Sequence, residues 1–181
     1  TSKSNPEEAK AVMQTLRSVI DAGELEPEHV GIVTPYRGQK ELIQKLIAYE
    51  DQFDGVEVNT VDGYQGREKE MIVFSSVRAN EDGKVGFLAD WRRLNVALTR
   101  AKRGVVVFGC TATLRNDPVW NSWIEHVVAT GGCRTDQAMA APVQKWESLS
   151  LDNHAAPELL AKLKATGAPV QTRCQSCYYH D

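Results

Sequence analysis

Apolar and amphipathic segments alternate along most of this chain. Four short apolar runs, rich in β-branched residues, are typical of buried strands and cover residues 30–34, 56–60, 71–77 and 105–108. Segments with helical patterns lie between or beside them and predict helices over 6–22, 39–49, 92–102 and 119–129. Strands that alternate with helices at these lengths predict an α/β fold, with a parallel sheet flanked by helices.

The pattern loses its period towards the end of the chain. From about residue 136 the stretch AMAAPVQKWESLSLDNHAAP has no sustained apolar spacing, which is typical of a linker. We therefore predict one folded domain over 1–137, followed by a linker and C-terminal tail over 138–181. Within that tail, residues 157–165 could form one more helix that ends at Gly167.

Composition limits the partners that this chain could have. Its 181 residues are 42% hydrophobic and 25% charged, which is enough for a core and ordinary for a soluble protein. The net charge of −3 excludes a global positive field, so nucleic-acid binding would need a local basic patch. No apolar run approaches the roughly 20 residues of a membrane-spanning helix, so we predict no membrane partner.

The N-terminus and the cysteines indicate the setting of the protein. The opening TSKSNPEEAKAV has neither an initiator methionine nor the apolar core of a signal peptide, and we expect it to be a piece of something longer. The four cysteines are too few and too scattered for a disulfide framework, which favours an intracellular location, nucleus or cytoplasm. Cys174, Cys177 and His180 have no fourth zinc ligand nearby, so we assign no metal.

Three polar segments follow the predicted strands: TPYRGQ at 34–39, TVDGYQGREKE at 60–70 and SSVRAN at 75–80. Ligands of parallel sheets bind beyond the carboxyl ends of the strands, so we expect all three segments at that edge. Gly63 and Gly66 allow a tight turn, while Gln65 and Glu68 offer an amide and a carboxylate to sugar hydroxyls or a positioned water. Alone, a Gln-Gly pair would more often belong to a solvated turn.

The predicted helix 92–102 combines an apolar face with a basic one. Leu94, Leu98 and Ala101 would point towards the sheet, whereas Arg93 and Arg100, seven residues apart, would share the opposite face. Guanidinium groups suit phosphate because they are planar, permanently charged and bidentate. The alternative is a basic helix whose cations are only solvated, and the helix by itself would favour that alternative.

Taken together, these segments resemble the second RecA-like domain of superfamily 1 helicases, in the subgroup of senataxin and the nonsense-transcript regulator. TPYRGQ resembles motif IV, VDGYQGREKE resembles motif V and RRLNVALTRAK resembles motif VI. The stretch SVRAN followed by GFLAD is also typical of that subgroup. The resemblance covers roughly residues 2–133 and implies a RecA-like domain, related to P-loop NTPases, that is the C-terminal part of an ATP-dependent helicase.

The resemblance also implies roles for matching residues. Arg100 would be the arginine finger that reaches the γ-phosphate of ATP. The nucleotide, and its ribose in particular, would be contacted by residues of the QGRE match, namely Gln65, Gly66 and Glu68. Single-stranded RNA or DNA would lie in a groove lined by Arg37, Thr60, Asp62 and Arg93, where phosphate contacts dominate.

Two departures from the family pattern affect this interpretation. Pro6 stands where several members carry an arginine directed at the γ-phosphate. The chain also lacks a GxxxxGK[ST] loop and an acidic Mg²⁺ motif, so ATP and Mg²⁺ would be held mainly by the absent first RecA-like domain of the same polypeptide. We therefore expect the 181-residue chain by itself to hydrolyse no ATP.

A second class of function remains open. The chain could be a non-catalytic RecA-like module that binds nucleic acid or a partner protein. The full reading frame distinguishes the two, because a Walker A lysine upstream favours the helicase and a natural start near Thr1 favours the module.

Overall fold

The computed structural model describes residues 3–135 and 170–174, which form a six-stranded parallel sheet with helices on both faces. The strands are β1 (Val30–Thr34), β2 (Glu57–Thr60), β3 (Lys69–Ser75), β4 (Ala101–Gly109), β5 (Cys133–Thr135) and β6 (Val170–Cys174). The helices are α1 (Pro6–Asp21), α2 (Arg37–Ile47), α3 (Trp91–Leu98), α4 (Thr111–Leu114) and α5 (Pro118–Ala129). The predicted α/β class is confirmed.

The strand order is β2-β1-β3-β4-β6-β5, and each neighbouring pair is parallel. Because a parallel strand can be reached only by a crossover, the connections between β1, β2, β3 and β4 return across a face of the sheet. Strand β3 lies between β1 and β4, so it is shielded at both edges. The residues that follow β1 and β3 therefore leave the sheet side by side.

Side chains on the central strands alternate between two apolar cores. On β3, Met71 and Val73 pack against α1 and α2, whereas Ile72 and Phe74 pack against α3 and α5. All four side chains are buried, which is why the run MIVF is apolar throughout instead of alternating with polar residues. The two cores therefore position α2 and α3, whose first turns carry Arg37 and Arg93.

The predicted helix over 92–102 is too long. Helix α3 ends at Leu98, where the Thr99 hydroxyl donates to the carbonyl of Asn95 at 2.7 Å, and β4 already begins at Ala101. The carbonyl of Arg100 accepts from the Lys69 amide at 3.1 Å, which draws the chain into pairing with β3. Arg100 therefore lies in the turn between α3 and β4, and the predicted face shared with Arg93 does not exist.

Other boundaries shift by a few residues. Helix α2 begins at Arg37 rather than 39, and β3 covers Lys69–Ser75 rather than 71–77. Strand β6 falls within the region predicted as linker and tail, yet it pairs with β4 and β5. The possible helix over 157–165 lies outside the described residues. The domain boundary at 137 stays a prediction.

Substitution of Gly31 tests the tight packing between β1 and the loop that follows β2. A Cβ at Gly31 would lie 2.0 Å from the hydroxyl oxygen of Tyr64 and 2.7 Å from its Cζ. The Tyr64 hydroxyl is buried without a hydrogen bond in the described part of the chain. We expect Gly31→Ala to destabilise the fold by about 1–3 kcal/mol, and Tyr64→Phe to be nearly neutral. Urea unfolding measures both.

The double variant Gly31→Ala/Tyr64→Phe provides the control. Removal of the hydroxyl should recover part of the stability lost in Gly31→Ala, because the closest atom is gone. Gly31→Ala with wild-type stability would contradict the close contact.

Candidate functional site

All three polar segments leave the sheet at its carboxyl edge, as predicted. Thr34 and Thr60 are in register at the ends of β1 and β2, and the Val61 amide donates to the Thr34 carbonyl at 3.2 Å. Helix α2 starts three residues after β1, so Arg37 is exposed at the same edge. The segment after β3 also starts there.

The loop over 60–68 does not stay at the carboxyl edge. Strand β3 is parallel to β2, so this loop has to cross back over β1 to reach the amino edge. Tyr64 is buried against Gly31 in that crossing, and Arg67 forms an ion pair with Glu57 at the start of β2. The expectation that the whole segment lies at one edge is therefore wrong.

The glycines of this loop allow the tight turn that was predicted for them. Gly63 donates its amide to the Thr60 hydroxyl at 3.3 Å, and a Cβ there would lie 2.4 Å from Asn59 Oδ1. Gly66 has φ of +79°, a conformation that favours glycine. The nearby side chains of Asp62, Gln65 and Glu68 are exposed, so they are accessible to a ligand.

Arg93 and Asp62 come together at the carboxyl edge. Arg93 Nε lies 3.7 Å from Asp62 Oδ1 and 3.6 Å from Asp90 Oδ2. Its guanidinium also lies over the Phe87 ring, 4.2 Å from the centroid. These partners orient the arginine, while 41% of its side chain stays exposed. Together with Arg37 and Thr60, it forms a polar surface at the ends of β1 and β2.

Arg100 lies at the opposite edge of the sheet. It precedes β4, whose Ala101 is in register with Lys69 at the start of β3. Its Nε donates to the carbonyl of Val96 at 3.0 Å, and the side chain is partly exposed. Glu68 immediately precedes Lys69, so Glu68 and Arg100 flank the paired starts of β3 and β4. The predicted site residues thus form two groups, one at each edge.

A buried carboxylate near the carboxyl edge was not anticipated from the sequence. Asn5 caps α1, and its Oδ1 accepts from the Glu8 amide at 3.0 Å. Glu8 is only 1% exposed, and burial raises the pKa of its carboxyl to about 7, against hydrogen bonds from Ser75 and Val77 that lower it. Acidic residues in a first helical turn usually face solvent, so no signal in the sequence could have indicated this burial.

The raised pKa of the Glu8 carboxyl predicts a specific pH dependence of stability. The carboxyl has a pKa near 4.5 when unfolded and about 7 when folded, so folding takes up a proton between these values. This group therefore contributes full stability below pH 4.5, loses it as pH rises through 7, and loses no more above that. The free energy of unfolding of Glu8→Gln, relative to that of the wild type, should therefore increase by up to about 3 kcal/mol as the pH rises from 4.5 to 8.5.

Urea unfolding across that pH range measures the difference between the wild type and Glu8→Gln. Glu7→Gln changes the neighbouring exposed carboxylate, which pairs with Lys10, and should keep the wild-type pH dependence. A constant difference between Glu8→Gln and wild type at all pH values would contradict the raised pKa.

The described residues contain neither a metal-binding cluster nor a membrane-spanning helix. Within 3–135 and 170–174, no group of three or more His, Cys, Asp or Glu side chains could hold a metal ion. None of the helices in these ranges is long and apolar enough to cross a membrane.

Comparison with known proteins identifies the family. Residues 1–112 match the model of a family described as an AAA domain. A DNA replication ATP-dependent helicase/nuclease of Bos taurus is 46% identical over 125 residues, which is 68% of this chain and 12% of that protein. A regulator of nonsense transcripts 1 of Dictyostelium discoideum is 41% identical over 131 residues, 70% of this chain and 10% of that protein.

The corresponding protein of Takifugu rubripes, a putative regulator of nonsense transcripts 1, is 42% identical over 134 residues, 70% of this chain and 12% of its own length. The family match, the all-parallel sheet and these relatives agree. The chain belongs to the superfamily 1 helicases of the nonsense-transcript-regulator type, and it is a RecA-like domain from their C-terminal region. It spans only about an eighth or less of the length of these relatives.

Proposed function

We propose that this chain is the C-terminal RecA-like domain of an intracellular ATP-dependent helicase that moves along single-stranded RNA or DNA. The observation that carries the proposal is the path of the loop over 60–68. This loop begins beside Arg93 at the carboxyl edge and ends beside Arg100 at the amino edge. One short segment thus connects a surface suited to a phosphate backbone with a surface suited to a nucleotide.

The carboxyl-edge group is the proposed nucleic-acid surface. Arg37 and Arg93 provide guanidinium groups for phosphate oxygens, and the Thr60 hydroxyl and Asp62 carboxylate provide further polar contacts. Phosphate contacts supply most of the affinity of a non-specific strand-binding protein, and the local basic groups offset the overall charge of −3. The exposure of Arg37 and Arg93 supports this assignment.

The amino-edge group is the proposed nucleotide surface. Gln65, Gly66 and Glu68 are exposed beside the start of β3 and are suited to the ribose. Arg100 donates through Nε to the Val96 carbonyl and through Nη2 to the Thr99 hydroxyl at 3.5 Å, and the remaining N–H groups of its five-donor fork suit an anion. These residues fit one side of an ATP site, but the chain has no phosphate-cradling loop and no Mg²⁺ motif, so a first RecA-like domain would hold ATP and Mg²⁺. Bound ATP supplies the phosphoanhydride bond whose cleavage drives movement.

Arg93→Ala tests the nucleic-acid surface in the full-length protein. Loss of a charge-assisted contact should weaken binding of a single-stranded oligonucleotide by about 1–3 kcal/mol. One phosphate contact fewer should also reduce the slope of log K against log salt by about 1. Fluorescence anisotropy over a salt series measures both. RNA and DNA oligonucleotides are both required, because the relatives are named for nonsense transcripts and for DNA replication.

Arg17→Ala is the matched control for Arg93→Ala. Arg17 lies on α1, its side chain is 45% exposed, and it pairs with Glu50 much as Arg93 pairs with Asp62 and Asp90. This variant should keep wild-type affinity and salt slope. An unchanged slope in Arg93→Ala would remove that arginine from the phosphate contacts.

Arg100→Lys tests the arginine finger. An arginine that neutralises charge on a transferring phosphoryl group can be worth about 10³–10⁵ in rate. Lysine keeps the charge but loses the planar fork, so kcat for ATP in the full-length protein should fall severely while nucleotide affinity changes much less. Steady-state ATPase assays with single-stranded RNA and DNA, together with nucleotide titration, measure the two effects.

Arg103→Lys makes the same chemical change three residues later. Its side chain is 69% exposed and lies 4.0 Å from Glu70, so its kcat should equal that of the wild type. Near-normal kcat in Arg100→Lys would refute the finger assignment. Absence of ATPase activity from the full-length wild type would refute the helicase proposal and favour a non-catalytic module.

A further inference from the structure

One buried polar cluster joins three segments at the carboxyl edge of the sheet. It consists of Asn5 and Glu8 at the start of α1, Gln39 at the start of α2, and Ser75 with Val77 at the end of β3; we call it the buried clamp. Glu8, Gln39 and Ser75 are 1%, 0% and 0% exposed. Burial of this many polar groups costs free energy unless each one is hydrogen-bonded. A cluster kept in spite of that cost is expected to have a role.

Gln39 is the centre of the buried clamp. Its Oε1 accepts from the backbone amide of Asn5 at 2.7 Å. Its Nε2 donates to the Asn5 carbonyl at 3.2 Å and to the Ser75 hydroxyl at 3.0 Å. One side chain on α2 therefore holds both backbone groups of the residue that caps α1 and also the last residue of β3.

Glu8 and Asn5 hold Val77 from two sides. Glu8 Oε1 accepts from the Val77 amide at 2.8 Å and from the Ser75 hydroxyl at 2.6 Å. Asn5 Nδ2 donates to the Val77 carbonyl at 3.3 Å. Val77 has φ of +68°, in the left-handed region that a β-branched residue rarely adopts. Such strain persists only where surrounding contacts impose it, and the buried clamp provides those contacts.

The segments that the buried clamp fixes carry the proposed nucleic-acid surface. Arg37 is two residues before Gln39 on the first turn of α2. Arg78 follows Val77, and its Nε donates to the Lys84 carbonyl at 2.9 Å, which closes the loop that leads towards Phe87 and Arg93. Being buried, Glu8 and Gln39 act on a ligand only through these residues.

We propose that Gln39 and Glu8 are positioning residues for single-strand binding: by fixing the starts of α1 and α2 to the strained turn after β3, they set the spacing of Arg37 from the loop that carries Phe87 and Arg93. This inference rests on the proposed function. The ligand is the phosphate backbone of a single strand, and the buried clamp determines how well the arginines match it.

The experiment compares variants of the full-length protein with a short fluorescent oligouridine and a short oligothymidine as probes. Gln39→Leu removes all three contacts of the central side chain. Ser75→Ala removes only the hydroxyl that links Glu8 to Gln39, so it serves if Gln39→Leu does not fold. Ile43→Ala is the matched control, because Ile43 is a 0% exposed residue one turn further along α2 that belongs to the apolar core.

These three variants, together with Glu8→Gln and Glu8→Leu, are compared in unfolding stability, strand affinity, nucleotide affinity and hydrogen exchange of residues 34–40 and 75–80. We expect Gln39→Leu, and more weakly Ser75→Ala, to lower strand affinity, by about tenfold for Gln39→Leu. Exchange should increase in both segments, and nucleotide affinity should stay within about twofold. Ile43→Ala should keep strand affinity despite its loss of stability. Glu8→Gln, which retains the accepting oxygen, should bind like the wild type, whereas Glu8→Leu should not.

Two results would overturn the inference. One is a wild type that binds the strand together with folded Gln39→Leu and Ser75→Ala variants that bind it equally well. The other is an equal loss of affinity in Ile43→Ala, which would make the effect one of stability alone. Failure of the wild type to bind either oligonucleotide would instead refute the proposed function. If hydrogen exchange in both segments were then also unchanged in the variants, the claim that the buried clamp holds these segments in place would be refuted as well.

Discussion

Parallel pairing of β3 with β1 and β4 is the constraint on which the rest of the structure depends. Parallel strands cannot be joined by a tight turn, so each connection has to cross a face of the sheet. The crossing after β2 is only eight residues long and contains no regular α-helix, so it lies directly on β1, with Tyr64 packed against Gly31. The strand order thus determines that one loop reaches both edges of the sheet.

That loop divides the candidate residues by chemistry as well as by position. Asp62 lies next to Arg93 where β1 and β2 end, whereas Glu68 lies next to the turn that holds Arg100 where β3 and β4 begin. A movement of this loop at one edge of the sheet can therefore be transmitted along the loop to the other edge. The proposed function requires a connection of this kind, because it assigns nucleotide and strand to opposite edges of the sheet.

The carboxyl edge has its own internal support. Arg37 and Arg93 are partly or fully exposed, and exposed arginines lose much side-chain entropy when they bind. The buried hydrogen bonds among Asn5, Gln39 and Ser75 keep the backbone beneath them in place, including the left-handed turn at Val77. A rigid backbone beneath these arginines reduces the ordering cost of binding to that of the side chains alone.

The sequence by itself determined the fold class, four of the six described strands, four of the five described helices, and the family, because apolar periodicity and long motifs are local properties of the chain. It also indicated the glycine turn at Gly66. Only the tertiary structure decided where α3 ends, because pairing of Ala101 with Lys69 overrides the helical pattern of that segment. Tertiary structure likewise placed Arg93 and Arg100 at opposite edges and buried Glu8, since burial and strand pairing depend on residues far apart in the chain.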